Sequence, residues 1–190
     1  MKEYKSVEIK KNSSGGREIL PAGGYVCQIQ GARIEEGQYG STLVIAHDVC
    51  EGDYKGFFKK DYENNDREDK KWRGTFRLRL PNEDGSQQDE WKAKALGNTI
   101  WALEESNPGF KWDWANAEKQ LKGKKIGLLY RNKEWEFGGR TGWTTEAVAA
   151  ESIEDIRAGK FRIPKDKPLP EKPAAPVFTE VEDDDGSLPF

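Results

Sequence analysis

Period-two alternation begins at Gly23. In GGYVCQIQGARIEE, Tyr25, Cys27 and Ile29 alternate with Val26, Gln28 and Gln30, as in a strand with one buried face. The phase changes at Gly31, after which Ala32 and Ile34 take the apolar positions. A glycine at a phase change predicts a bulge or sharp coil in a long strand. EGQYG is turn chemistry, and STLVIAHDV resumes the alternation. There Leu43, Ile45 and Val49 share one face, and Thr42 and Asp48 the other. The two segments read as an antiparallel hairpin. EGDYKGFFKKDYENNDREDKK reads as a turn and a short strand, then a solvated polar loop. KWRGTFRLRLP restores period two, with Phe76, Leu78 and Leu80 opposite Thr75, Arg77 and Arg79, and Pro81 ends it.

The pattern then turns helical. Ser86 with Asp89 three residues on resembles a capping box, and Leu96, Ile100 and Leu103 form one apolar stripe. Asn107, Pro108 and Gly109 stop that helix. KWDWANAEKQLKGK predicts a short second helix. KKIGLLYRN predicts a strand with Ile126, Leu128 and Tyr130 on one face. KEWEFGGRTGWTTEAVAA predicts a hairpin about Gly138 and Gly139, and SIEDIRAGKF a short helix or turn. From Pro164 the composition shifts to prolines among Lys, Glu and Ala, as in a semi-rigid linker. The expected organisation is a flexible arm over 1–20, a domain over 21–163, and a Pro-rich linker with an acidic tail over 164–190. The expected fold is mainly β with α. It is a five-stranded oligonucleotide/oligosaccharide-binding (OB) barrel, with helices between strands three and four. A generic α+β domain is the competing architecture.

Charge and composition sharpen this. Hydrophobic residues make up 35% of the chain and charged residues 34%, which is thin for a chain folded end to end. Seven Trp, six Tyr and eight Phe offset the deficit, because each ring buries a large area. The net charge of −3 is unevenly spread. Residues 171–190 hold six acids against Lys172, a net −5, so the first 170 residues carry +2. No apolar run is long enough to cross a bilayer. The segment MKEYKSVEIKKNSSGG has no apolar stretch of the secretory kind. Cys27 and Cys50, without CxxC spacing, read as free thiols in a reducing cytosol.

An OB barrel binds nucleic acid by stacking bases on aromatics while a basic groove follows the phosphates. Three stretches interleave those ingredients. GFFKKDY sets Phe57, Phe58 and Tyr62 beside Lys59 and Lys60. KWRGTFRLR sets Trp72 beside Arg73, with Arg77 and Arg79 outward. YRNKEWEFGGRTGW sets Trp135, Phe137 and Trp143 near Arg131, Lys133 and Arg140, in the loop between strands four and five. Taken singly, an aromatic in a small barrel is more often packing than platform; the claim is that at least one aromatic–basic cluster meets nucleic acid. His47, the only histidine, continues an apolar strand face and reads as structural. Glu51, Asp53, Asp61 and Glu63 could chelate magnesium in a nuclease, but solvation in a Lys-rich turn and loop explains them. LKGKKIG lacks phosphate-loop spacing. No catalytic residue, metal or cofactor is expected.

The chain closes on EDDDGSLPF. A terminal Phe offers a ring and a carboxylate on one residue, which a partner can take in an apolar pocket with a basic rim. The residues Asp183, Asp184, Asp185, Leu188, Pro189 and Phe190 resemble the tail of bacterial and bacteriophage single-stranded DNA-binding proteins. Here Gly186 and Ser187 separate the acids from Leu188. EGDYKGFF, EESNPGFKWDW and IRAGKFRIPKDKPLP are similar to stretches of a group of phage and mobile-element proteins of Gram-positive bacteria. That resemblance spans most of residues 21–170. It implies a non-enzymatic, OB-fold single-stranded DNA-binding protein in the cytoplasm of a bacterial host. It also implies that the tail tip recruits replication, recombination or repair proteins. A strand-annealing or recombination mediator, a metal-dependent nuclease and a protein-only adaptor are the alternatives. Oligomeric state stays open, a homodimer included, and no membrane partner is expected.

Overall fold

The alternation at Gly23–Glu35 becomes strand β1, and Thr42–Val49 becomes β2. Thr75–Arg79 forms β3, Lys125–Phe137 forms β4 and Arg140–Glu151 forms β5. In this computed structural model, which describes residues 18–170, the five strands make one antiparallel sheet in the order β3-β2-β1-β4-β5. The β1–β2 register shifts between Ile29 and Gly31, where the sequence changes phase. The shift bends β1, so its first half pairs with β4 and its second half with β2. β3 and β5, at the two ends of the order, come close to one another, but no ladder joins them. The fold is therefore mainly β with helices, as expected, and its sheet is not closed into a barrel.

The inward residues build the core. Cys27, Ile29, Leu43, Ile45, Phe76, Leu78, Ile126, Leu128 and Tyr130 are buried together. Each large apolar side chain so placed contributes ~1.5–3 kcal/mol relative to exposure. The predicted helix is α2 (Gln87–Ser106), and Ser86 caps it by accepting from the Asp89 N–H. Its Leu96 and Leu103 close one side of the core, with Ile100 half-buried beside them. A short helix, α3 (Ile153–Ala158), follows β5, as the sequence predicts. The expected helix in KWDWANAEKQLKGK is instead two single 3₁₀ turns, at Trp114–Asn116 and Lys119–Leu121.

Two local expectations are corrected. The stretch read as a short strand and polar loop starts with a helix, α1 (Phe57–Glu63). Asp48 of β2 sets it in place: its carboxylate accepts from the backbone N–H groups of Phe58 (2.9 Å) and Lys59 (3.2 Å). A seven-residue helix is too short for periodicity to reveal, and its anchoring acid lies ten positions upstream. Residues 166–169, which composition groups with the linker, dock on β4. Pairing of β1 with β4 begins at Gly23↔Tyr130. Beyond it, Lys167 N–H donates to Asn132 O (2.8 Å) and Glu134 N–H donates to Lys167 O (2.9 Å). The strap thus occupies the edge that β1 leaves open.

Candidate nucleic-acid interface

β4 and β5 run past the core as a two-stranded arm. Gly138 (φ 57°) and Gly139 (φ 73°) turn it, and both central residues need positive φ in the tight turn that matches strand twist. Directly opposed residues in an antiparallel pair share a face. Arg131 opposes Glu146, Lys133 opposes Thr144, Trp135 opposes Gly142 and Phe137 opposes Arg140. Five of the predicted residues, Arg131, Lys133, Trp135, Phe137 and Arg140, therefore share one face. Trp143 opposes Glu134 and lies on the other face. Trp135 packs its ring over Gly142, where an added Cβ would stand 2.8 Å from the ring. One side of the indole is thus supported and the other left open; the residue is 40% exposed and Phe137 82%. Arg131 is half-buried and ion-paired to Glu146, whereas Lys133 and Arg140 are exposed.

The second cluster lies where α1 packs on β2, beside the segment that leads into β3. Tyr62 and Trp72 stand 6.0 Å apart, tilted at 48°. They line a cavity of about 480 Å³ with Gln30, Ala46, Asp48, Lys59 and Glu63. Trp72 is held from behind, since its Nε1–H donates to Gly74 O (3.0 Å) and His47 O (3.2 Å). Lys70 sits 4.7 Å over the Tyr62 ring, a cation–π contact. Burial raises the Asp48 carboxyl above its ordinary range, opposed by the backbone N–H groups it accepts from. Lys59 and Lys60 are exposed on α1. Phe57 and Phe58 are corrected: both are core residues, 6% and 3% exposed, with no ring face left for a base. The sequence set them beside two lysines, but a helix sends neighbouring positions to different faces.

Arg73 joins the two clusters. It donates to Asp61 of α1 (3.1 Å) and to Thr144 of β5 (3.0 Å). Thr144 is the cross-strand neighbour of Lys133, on the face that carries Trp135. Stretches seventy residues apart in sequence thus meet through one guanidinium.

Arg77 and Arg79 do lie on the outer face of β3. Arg77 pairs with Glu35, which also holds Arg33 (2.6 Å). Those two arginines, Arg33 first, draw the Glu35 carboxyl below its usual range. Val44, 1% exposed although it points outward, lies between Arg33 and Arg77 in the ladders, beneath side chains with long apolar stems. Arg79 forms no ion pair among the described residues and is exposed.

Sequence reasoning missed Gln30, Arg33 and Lys70. Gln30 and Arg33 point outward beside β2, and the outward parity of β1 was the signal available for both. Lys70 comes from the polar run, which carries no period. His47 is buried, with its Nε2 2.5 Å from the Tyr130 hydroxyl. Its Nδ1 must donate to the Ile45 carbonyl (3.2 Å), so its Nε2 accepts the tyrosine proton. Of the carboxylates weighed for metal, Glu51 is bound to Arg157 and Lys125, and Asp61 to Arg73. Asp183, Asp184, Asp185, Leu188, Pro189 and Phe190 lie outside the described residues. Comparison with models of known protein families gives no match, and no curated protein matches the chain.

Proposed function

We propose that the protein binds single-stranded DNA without sequence preference, stacking bases on Trp135, Phe137, Tyr62 and Trp72 while nearby cations neutralise phosphates. The observation that supports this is the Arg73 bridge, which ties the two aromatic–basic clusters together through Asp61 and Thr144. The exposed rings of Trp135 and Phe137, and the edge of the Tyr62–Trp72 pair at its open cavity, suit unpaired bases, whose faces are free; a duplex hides those faces in its own stack. Base–aromatic stacking contributes ~1–3 kcal/mol per base and every base has a π-face, which accounts for the lack of sequence preference. Lys59, Lys60, Lys133, Arg140 and Arg79 would track the backbone, with Arg33 and Arg77 beside them.

On this reading the sheet is an OB barrel left open between β3 and β5. The strand order, the bent β1 and a helix between β3 and β4 support that assignment. The protein acts as a coat, not as a catalyst. The acidic tip ending in Phe190 recruits replication, recombination or repair proteins to the coated strand. The test is fluorescence anisotropy with labelled oligo-dT and with duplex of matched length. Tight binding to the single strand alone is expected, weakening with a log–log salt slope of about −0.7 for each phosphate neutralised. Equal affinity for duplex, or no binding at low ionic strength, overturns the proposal.

A further inference from the structure

The outer face of α2 carries two large exposed rings that the proposed DNA surface does not use. Trp91 is 62% exposed and Trp101 44%. Between them Lys94, Ala95, Gly97 and Asn98 line a shallow groove of about 630 Å³. Gly97 is the informative residue. Glycine inside a helix costs ~1 kcal/mol relative to alanine. A Cβ added at 97 would meet nothing within 4 Å, so packing within the described chain does not require a glycine there. A bare backbone flanked by protruding indoles is what a closely approaching second helix needs.

We infer that α2 is a self-association surface on which two copies pair antiparallel about a two-fold axis at Asn98. In that register Trp101 lies at the height of the partner's Ala95, whose small side chain leaves room for the ring, and symmetry repeats the arrangement. Lys94 falls opposite the partner's Ala102, ~4.5 Å along the axis from the partner's Glu105, at 1.5 Å per residue. Lys94 and Glu105 form no ion pair among the described residues, and both are exposed. Within the chain Glu105 already feels the charge of Lys111, so the pairing supplies Lys94 with its opposite charge and Glu105 with a second one, twice per dimer. Gly97 lies next to the axis, where the backbones come closest. Nucleic acid does not suit this face. α2 carries Asp89, Glu90, Glu104 and Glu105 against Lys92 and Lys94, a net −2, and Lys92 is already paired with Asp89 (3.5 Å).

The experiment is sedimentation equilibrium of the full chain from micromolar to submillimolar concentration, with circular dichroism and thermal melts as folding controls. A concentration-dependent dimer is expected. Trp101→Ala should raise its dissociation constant at least ~30-fold, as loss of a central aromatic anchor does. Gly97→Leu should keep or raise the melting temperature, because the added side chain enters open space on a helix, yet weaken the dimer. Lys94→Glu should also weaken it, and the double exchange Lys94→Glu with Glu105→Lys should restore it. A monomer at every concentration overturns the inference, including a monomer whose tryptophans are shielded only while residues 171–190 are present. So does a dimer indifferent to Gly97→Leu, or a charge exchange that restores nothing.

Discussion

Trp135→Ala and Trp143→Ala separate the two faces of the β4–β5 arm. Both rings are 40% exposed, both lie beyond the core, and they are eight residues apart on paired strands. Composition alone cannot rank them. The ladder can, because Trp135 shares its face with Lys133, Arg140 and the Arg73-bound Thr144, whereas Trp143 faces the other way with Glu134. Trp135 also rests on Gly142, so one side of its ring is fixed and presented before any base arrives. Removing a ring that stacks one base costs ~1–3 kcal/mol, or roughly 5- to 150-fold in affinity. Trp135→Ala should therefore weaken oligo-dT binding within that range, with little change in melting temperature. Trp143→Ala should weaken it far less. Anisotropy titrations at one fixed salt concentration, with melts of each variant, make the comparison. Equal losses from the two variants, or a larger loss from Trp143→Ala, would refute the face assignment.

Acid should destabilise the fold through His47. Burial lowers its pKa to about 4 from an ordinary 6.5. The unfolded chain then gains a proton near pH 6.5 that the folded chain refuses until about pH 4, so stability falls as pH drops through that window. The loss between about pH 7 and pH 5 is ~2 kcal/mol, measurable by urea melts, and His47→Gln should flatten it; an unchanged slope in that variant contradicts the assignment. Phe58→Ala should cost ~3–5 kcal/mol in the same melts, as truncation of a buried phenylalanine does; a cost below ~1 kcal/mol would return Phe58 to the surface. On the proposed function, deleting residues 180–190 should tighten DNA binding, the result expected of acids that compete with DNA for a basic surface. The effect should be clearest at low ionic strength, where the Debye length approaches ~30 Å, and equal affinity with and without the tail contradicts it.

Periodicity carried the sheet well because each strand has one buried face. The phase change at Gly31, the alternation of Phe76 and Leu78, and the cap at Ser86 all lie where the sequence puts them. Barrel closure was not legible, since it depends on whether β3 and β5 exchange hydrogen bonds, and side-chain patterns do not encode that exchange. α1 was hidden because its anchor is tertiary: Asp48 caps it from another element. The candidate site was legible in kind more than in membership. Interleaved rings and cations marked stretches that the fold brings near one another, but adjacency in sequence mixed buried with exposed positions, as Phe57 and Phe58 show beside Lys59 and Lys60. The link through Arg73 and Thr144 spans 71 positions and leaves no local pattern. Trp91 and Trp101 passed unnoticed for a related reason: the helical stripe used to identify α2 was the buried one.

Ultraviolet cross-linking of the protein to an oligonucleotide of iodinated deoxyuridine, followed by peptide mapping, tests most directly whether the two clusters form one surface for an unpaired strand. Cross-links should fall both on the peptide holding Tyr62 or Trp72 and on the one holding Trp135 or Phe137, and unlabelled oligo-dT should suppress them together. Cross-links confined to one cluster, or gathered on Trp91 and Trp101 of α2, would contradict it.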